Sequence, residues 1–183
     1  IRNIMDNFIK NDFKKFYVSI NEKGEMIKSY FKSFKNSYNI NYVHEKKPLG
    51  TIGSLKLLKK KLKNSFFVTN SDILILSDYK TIMEFHLKNN FDLTIIVSMR
   101  NYNIPYGVCN FDKDGKLQSI NEKPNFNFFV NTGLYVVKSK LVNLIPGNQK
   151  FDMNELIEKA QKNNANIGVF PISENSWKDV GQL

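Results

Sequence analysis

Three observations predict an α/β fold for this chain of 183 residues. Its apolar spacing switches several times between periods of about 3.6 and 2. Its helix-like stretches alternate with short β-branched and aromatic runs. An apolar share of 42% and an aromatic share of 13% are enough to fill one buried core.

Taken in order, Ile1, Ile4, Met5, Phe8 and Ile9 mark a helix face, and Phe16–Ile20 reads as a strand. A second helix is predicted over 25–34, with a short strand at 40–43. The lysine-rich stretch 53–62 is predicted as a third helix, because Leu55, Leu58 and Leu62 recur at helical spacing. Ser65–Thr69 is a buried strand, and Asp78 caps a helix over 78–88. Leu93–Ser98 is the next strand. Val108–Phe111, Leu117–Ile120 and Phe129–Val137 are β-rich, with Asp112-Lys113-Asp114-Gly115 as a hairpin turn between the first two. A last helix covers 152–163, before a strand at 167–170. The first half therefore reads as βα units of a parallel sheet, and the second as an insertion forming the other wall of a cleft. Ligands in such folds sit beyond the carboxyl ends of the strands, which singles out the loops after Val43, Thr69 and Val137.

Charge raises a different class and composition removes it. The net charge is +10, from 27 Lys and Arg against 17 Asp and Glu, but the basic residues are scattered. Their densest run, Lys56 to Lys63, lies opposite the leucine stripe and reads as a solvated face. Nucleic-acid binding calls for a basic stripe with exposed aromatics, whereas Phe66, Phe67, Phe129 and Tyr135 fall in apolar strands and read as core. The positive field suits the gathering of polyanionic substrates such as nucleotides. No run approaches the roughly 18–20 apolar residues of a membrane span, and Ile1 to Lys10 lacks a signal-peptide core. The single cysteine, Cys109, forms no internal disulfide and points to a reducing, cytoplasmic setting; it reads as a buried strand thiol. His44 and His86 read as structural or surface residues.

Several short segments carry groups suited to chemistry. Asn70-Ser71-Asp72 places a carboxylate at a strand end, where Asp72 reads equally as a Mg2+ ligand or a turn cap. Glu45 to Ser54 sets Gly50 and Gly53 around Thr51-Ile52 before a helix; glycine permits close backbone approach, and the spacing is not that of a Walker loop. Tyr106-Gly107, Glu122-Lys123-Pro124 and Asn131-Thr132-Gly133 each lie at a strand edge. Lys123 suits a phosphate, and Glu122 can accept two hydroxyls. Asp179, behind Trp177, adds a second carboxylate near the C-terminus.

Taken in order, Glu-x-x-Pro-Leu-Gly-Thr-x-Gly, Phe-Phe-Val-x-Asn-x-Asp, Tyr-Gly-Val, Glu-Lys-Pro, Asn-Thr-Gly-Leu-Tyr and Trp-x-Asp-Val-Gly-Gln resemble the sugar-1-phosphate nucleotidyltransferase family. The resemblance spans residues 1 to 183. It implies a Rossmann-like, mostly parallel mixed sheet flanked by helices, the nucleotide-diphospho-sugar transferase fold, in a single domain. It also implies transfer of a nucleoside monophosphate from a nucleoside triphosphate to a hexose-1-phosphate, with pyrophosphate released. By the same resemblance Asp72 and Asp179 hold the catalytic Mg2+. Glu45, Pro48, Gly50 and Thr51 belong to the segment meeting the base. Asn70, Tyr106, Gly107, Glu122, Asn131, Thr132 and Gly133 belong to the substrate-binding positions, and Lys123 meets the sugar phosphate. Pro-Leu-Gly-Thr and the Trp177 motif are similar to guanylyltransferases of mannose-1-phosphate. They are also similar to bacterial domains that accompany paired CBS modules in cell-surface sugar pathways.

The family's glycine-rich loop ending in Thr-Arg-Leu has no equivalent within these residues, and the helix at Ile1 is similar to the one that follows that loop. The expectation is a domain lacking its first strand, inactive by itself. A gap is expected between the strands at 16–20 and 66–69, leaving the chain unstable or paired with a second copy. Two rival readings are a GT-A glycosyltransferase, which would present Asp-x-Asp where Asn70-Ser71-Asp72 stands, and a non-catalytic module of the same fold.

Overall fold

The computed structural model describes residues 1–22, 24–34 and 38–182. Its centre is a four-stranded sheet in the order β3 (Ser65–Thr69), β8 (Asn125–Lys138), β5 (Leu93–Asn103) and β9 (Ile167–Ile172). β8 runs antiparallel to both its neighbours, and β5 runs parallel to β9, so three of the four strands share one direction. The fold is thus mixed α/β with a mostly parallel sheet, as the periodicity predicts.

The place of β8 corrects one expectation. Its carboxyl half is the inner strand of the sheet and not part of a separate wall. Leu134, Tyr135, Val136 and Val137 are all buried, the signature of a strand covered on both faces. Tyr135 and Val137 share a core cluster with Leu156 and Ala160 of α4 (Met153–Lys162) and with Phe151 just before it. Leu134 and Val136 face α1 (Arg2–Lys10) and α3 (Tyr79–Lys88) through Ile4, Phe8, Tyr79 and Ile82.

Local chemistry sets the element ends. Asp78 accepts bonds from the backbone N–H groups of Lys80 and Thr81 at 2.8 and 3.3 Å, capping α3 as predicted. The Asp112–Gly115 turn joins β6 (Val108–Phe111) to β7 (Leu117–Asn121), with Gly115 at φ +81°. Two short strands are absent from the sequence reading: β4 (Ile73–Ile75) and β10 (Trp177–Asp179), paired antiparallel.

The lysine-rich stretch is a 3-10 turn over Gly53–Leu58 and not an α-helix to residue 62. Leu58 is buried, and Leu55 and Leu62 pack on the core as the spacing requires. Lys56 with Lys59 and Lys60, and Lys59 with Lys63, would stack like charges at helical neighbour positions, which disfavours a regular helix.

β1 (Lys15–Ile20) and β2 (Asn39–His44) form a separate parallel pair covered by α2 (Gly24–Lys32). Among the described residues β1 and β3 share no ladder. The rings of Phe8 and Phe13 bridge the two sheets, each packing edge-on against Phe67 of β3, and Phe8 also against Phe16 of β1.

Cys109 and Phe129 are exposed, against the expectation of burial. The β6–β7 hairpin is a two-stranded ribbon, and β5 and β8 run on past their neighbours, so no second layer covers either residue. His86 is fully buried, its two ring nitrogens bonded to the hydroxyls of Ser65 and Thr94. Among the described residues no helix is long and apolar enough to cross a membrane.

Candidate active site

A cleft of about 660 Å3 opens at the carboxyl end of β3, where β8 bends, and is closed on its far side by the start of α4 and by β10. Each wall is fixed by a specific set of backbone bonds.

The first wall carries the two acidic groups. Asp179 stands opposite Ile73 in the β4–β10 ladder, and the N–H of Val180 donates to the carbonyl of Asp72 at 2.8 Å. This pairing carries residues 72 and 179 to one lip. A Cβ placed on Gly181 would stand 3.2 Å from Asp72 Oδ2 and 3.3 Å from Asp179 Oδ1. The two oxygens therefore cannot be farther apart than those two lengths laid end to end. Asp179 Oδ1 also accepts the Gly181 N–H at 3.0 Å, which orients it. Two hard carboxylate oxygens on one lip suit Mg2+, which binds through one or two carboxylates and completes its shell with water and phosphate. Among the described residues no group of three or more His, Cys, Asp or Glu gathers, elsewhere or here, to hold a metal ion. Trp177 closes the lip from the side, its ring under the Arg100 guanidinium at 4.6 Å, and Arg100 bonds Glu174 at 2.8 Å.

The floor is the bend in β8. Register slips between Ile95 and Val97, where Asn131 to Tyr135 take up the slack as a bulge. Thr132 is buried there, and its hydroxyl donates to the Ile96 carbonyl at 2.8 Å. Gly133 sits at φ +82° with Asn70 against it; a Cβ would come 2.8 Å from Asn70 Nδ2. Asn131 accepts the Gly133 N–H and donates to the Tyr135 hydroxyl. Thus Asn131 and Asn70 flank the floor, while Thr132 holds its shape from behind.

The second wall is a clasp between two loops. Phe151 N–H donates to Leu49, Ile52 N–H to Phe151, Thr51 N–H to Asp152 Oδ1 at 2.8 Å, and Met153 N–H to the Thr51 hydroxyl at 2.9 Å. Gly50 lies inside this clasp at φ +77°, where a Cβ would meet Asp152 Oδ1 at 2.6 Å and the Phe151 carbonyl at 2.8 Å. The Thr51 N–H, with help from Lys150, holds the Asp152 carboxyl below the usual carboxylate range. Glu155 accepts the Asp152 N–H at 2.7 Å and completes the start of α4.

Of the residues singled out from sequence, Gly50, Thr51, Asn70, Asp72, Asn131, Thr132, Gly133 and Asp179 line this one cleft. Glu45 does not: its carboxylate accepts from Ser19 and from the Leu49 N–H, and so shapes the turn leading to Gly50. Pro48 is exposed in that turn. Tyr106, Gly107, Glu122 and Lys123 gather elsewhere, at the foot of the β6–β7 hairpin. There the Lys123 N–H donates to the Tyr106 carbonyl, and Glu122 Oε2 lies 2.8 Å from where a Gly107 Cβ would be. Six residue steps along β8 separate Asn125, beside that foot, from Asn131, about 20 Å of strand.

Sequence reasoning missed Lys150, Asp152 and Asn154, all at the cleft. Among the described residues lining the cleft Lys150 is the one cationic side chain, exposed and 3.6 Å from Asp152 Oδ2. An Asp with a Glu three residues on, at a helix start, is a legible capping signal. Nothing local shows that this helix start faces Gly50.

Comparison with known proteins bears on the family and the fold. The chain is 30% identical over 174 residues to mannose-1-phosphate guanyltransferase 2 of Candida glabrata, covering 90% of this chain and 48% of the relative. It is 31% identical over 179 residues to mannose-1-phosphate guanyltransferase of Yarrowia lipolytica, covering 92% of this chain and 48% of that protein. The chain thus spans about half the length of the curated relatives it matches. Among solved structures, HddC from Yersinia pseudotuberculosis superposes with a TM-score of 0.72 at 24% identity, covering 97% of this chain and 78% of the other. Residues 1–183 match the family model described as nucleotidyl transferase. With that match added to the fold and the paired carboxylates, the chain belongs to the nucleotidyl transferase family.

Proposed function

We propose that this cleft serves transfer of a nucleoside monophosphate, guanylate favoured, from a nucleoside triphosphate to a hexose-1-phosphate of the mannose-1-phosphate class, releasing pyrophosphate. The observation that carries the reading is the meeting of Asp72 and Asp179 on one lip. The preference for guanine and for mannose-1-phosphate draws on the relatives about 30% identical to this chain.

The chain's own groups divide the work. Asp72 and Asp179 would hold Mg2+, which when bound neutralises phosphate charge. Gly50 and Thr51, held in the clasp, line the part of the cleft where the flat base would sit. Lys150 can trade its exposed pairing with Asp152 for a phosphate oxygen. Asn70 and Asn131 offer amides to hydroxyl groups from the floor. The oxygen of the sugar phosphate attacks the α-phosphorus in line as pyrophosphate leaves, so positioning and charge neutralisation carry the reaction. Among the described residues of the cleft, one lysine facing a triphosphate beside two carboxylates is a thin cationic complement. Residues 1–183 are therefore proposed to bind without turning over by themselves. The exposed thiol of Cys109 suits a reducing, cytoplasmic compartment.

The test is titration of GTP with and without Mg2+ into the chain and into Asp72→Asn and Asp179→Asn. Each substitution is expected to weaken the Mg2+-dependent affinity about tenfold or more, ~1.4 kcal/mol. Unchanged affinity in both variants would refute the metal assignment.

A further inference from the structure

Asp179 stands on slight local support. Among the described residues β10 pairs only with β4, and each is three residues long, so the lip is a two-stranded ribbon set apart from the central sheet. Such a ribbon is marginal without outside packing. β4 has that packing, since Ile73 and Ile75 are buried in one core cluster with Tyr79 and Ile82. β10 reaches the same cluster through Trp177, while Lys178 is exposed. Side chains two apart on a strand share a face, so Trp177 and Asp179 leave β10 on one side, about 7 Å apart along the chain. The seat of the indole therefore sets the rotation of the strand about its axis, and with it the direction of the Asp179 carboxylate.

No hydrogen bond closes that seat. Trp177 Nε1 is buried and has no partner among the described residues, a cost that packing must offset. Part of the packing comes from β5. Arg100 lies two positions beyond Ser98, which β9 pairs through Ile172, and so shares its face of the strand. The guanidinium sits 4.6 Å from the centre of the Trp177 ring, and Nη1 donates to Glu174 Oε1 at 2.8 Å. Glu174 opens the 3-10 turn Glu174–Ser176 between β9 and β10. The Ser176 N–H donates to the Ser173 carbonyl at 3.0 Å, and the two serine hydroxyls meet at 2.7 Å. The Leu76 N–H donates to the Ser176 carbonyl at 2.8 Å, which ties the turn to the end of β4. Arg100 is thus gripped at its edge by a carboxylate on a tied turn and laid by its face on the indole.

We propose that Arg100, gripped by Glu174, is a positioning residue for Asp179: it seats Trp177, and Trp177 aims the carboxylate beside Asp72. Stability is not its contribution. The Arg100 and Glu174 side chains are 33% and 43% exposed, and ion pairs so exposed add little to folding. The residue type fits the task, because a flat guanidinium stacks on a ring while its edge donates to a carboxylate, and a compact ammonium has no such plane. The sign of the effect separates aim from charge. A cation near a metal site repels the metal, so loss of the Arg100 charge alone would strengthen metal binding. Loss of the brace weakens it.

The use of Asp179 by a metal rests on the function proposed above; the brace does not. The test titrates Mn2+ alone, read from the fall in its free-ion paramagnetic resonance signal, into the unaltered chain, Arg100→Ala, Arg100→Lys, Glu174→Gln, Asp179→Asn and Arg2→Ala. Arg2 is the control because it makes the same two kinds of contact elsewhere, over Phe34 at 4.2 Å and beside Asp6 at 3.7 Å. In parallel, 15N NMR follows the Gly181 N–H, which donates to Asp179 Oδ1 at 3.0 Å. Arg100→Ala should weaken Mn2+ binding about tenfold and move the Gly181 amide signal toward that of an unbonded amide. Arg100→Lys should do both in part, and Arg2→Ala neither. If Arg100→Ala unfolds, Glu174→Gln carries the same expectation. A Gly181 amide that stays in place would overturn the proposal, as would Mn2+ binding that is unchanged or tighter in Arg100→Ala where Asp179→Asn weakens it. Equal Mn2+ binding by Asp179→Asn and the unaltered chain would overturn the metal reading instead, and the Gly181 signal alone then decides the brace.

Discussion

Replacing Gly50 with alanine separates backbone strain from collision, because other glycines of the fold provide the controls. Gly50, Gly115 and Gly133 sit at nearly the same positive φ, +77°, +81° and +82°, so each alanine carries about 1 kcal/mol of left-handed strain. At Gly115 nothing lies within 4 Å of the new Cβ, and strain is the whole effect. At Gly133 the Cβ meets Asn70 Nδ2 at 2.8 Å, the end of a side chain that can swing away. At Gly50 it meets the Phe151 carbonyl at 2.8 Å and Asp152 Oδ1 at 2.6 Å. Relief there must open the clasp and break the bond from Thr51 N–H to a charged oxygen, a further loss of about 2 kcal/mol. Urea unfolding is the assay. With a slope of about 2 kcal/mol per molar urea, Gly115→Ala should lower the midpoint by about 0.5 M and Gly50→Ala by about 1.5 M. Gly133→Ala should fall between them. A Gly50→Ala midpoint no lower than that of Gly115→Ala would show that the clasp yields freely and would refute the rigid second wall.

Four other outcomes follow from the same geometry. Lys150→Met should weaken GTP binding by about 1 kcal/mol and reduce its dependence on salt, read by titration at two ionic strengths. Asp152 is held below the ordinary carboxylate range, so its contribution to stability is complete above its unfolded pKa near 4 and is lost as pH falls through the lower folded value. Asp152→Asn, followed by denaturation between about pH 2 and 5, should flatten that acid limb. Burial lowers the pKa of His86, so stability is full above about 6.5 and declines on acidification as the unfolded state takes up the proton first; His86→Gln should remove this slope in melts between about pH 5 and 7. Cys109, being exposed, should react fully with a thiol reagent in the native chain, without denaturant.

Much of the architecture is legible in local pattern because local physics decides it. The α3 cap at Asp78 and the Gly115 turn follow from side chains that bond within two or three residues. What local pattern could not supply is partnership. The run from Leu134 to Val137 is apolar enough for a buried strand, but only register reveals that it lies between β3 and β5. β4 and β10 are three residues each, too short to show a period, yet their ladder is what joins Asp72 to Asp179. Phe129 and Cys109 look like core because their segments look like strands; the sequence gives no sign that those strands outrun their neighbours. The ordered motifs located eight residues of the cleft through family resemblance. Asp152 escaped because its role comes from Thr51, 101 residues away.

The bulge at Thr132 has a mechanical consequence. Below it, β8 is clamped between two strands; above it, the same strand has one partner and open solvent on both sides. Five residues of such a ribbon reach about 17 Å, and a pivot of about 10° at its root displaces the tip by about 3 Å. The Thr132 hydroxyl, seated on the Ile96 carbonyl, is therefore the fulcrum of a lever. Removing that single bond would be felt most at the far end of the ribbon, where neither residue is in reach.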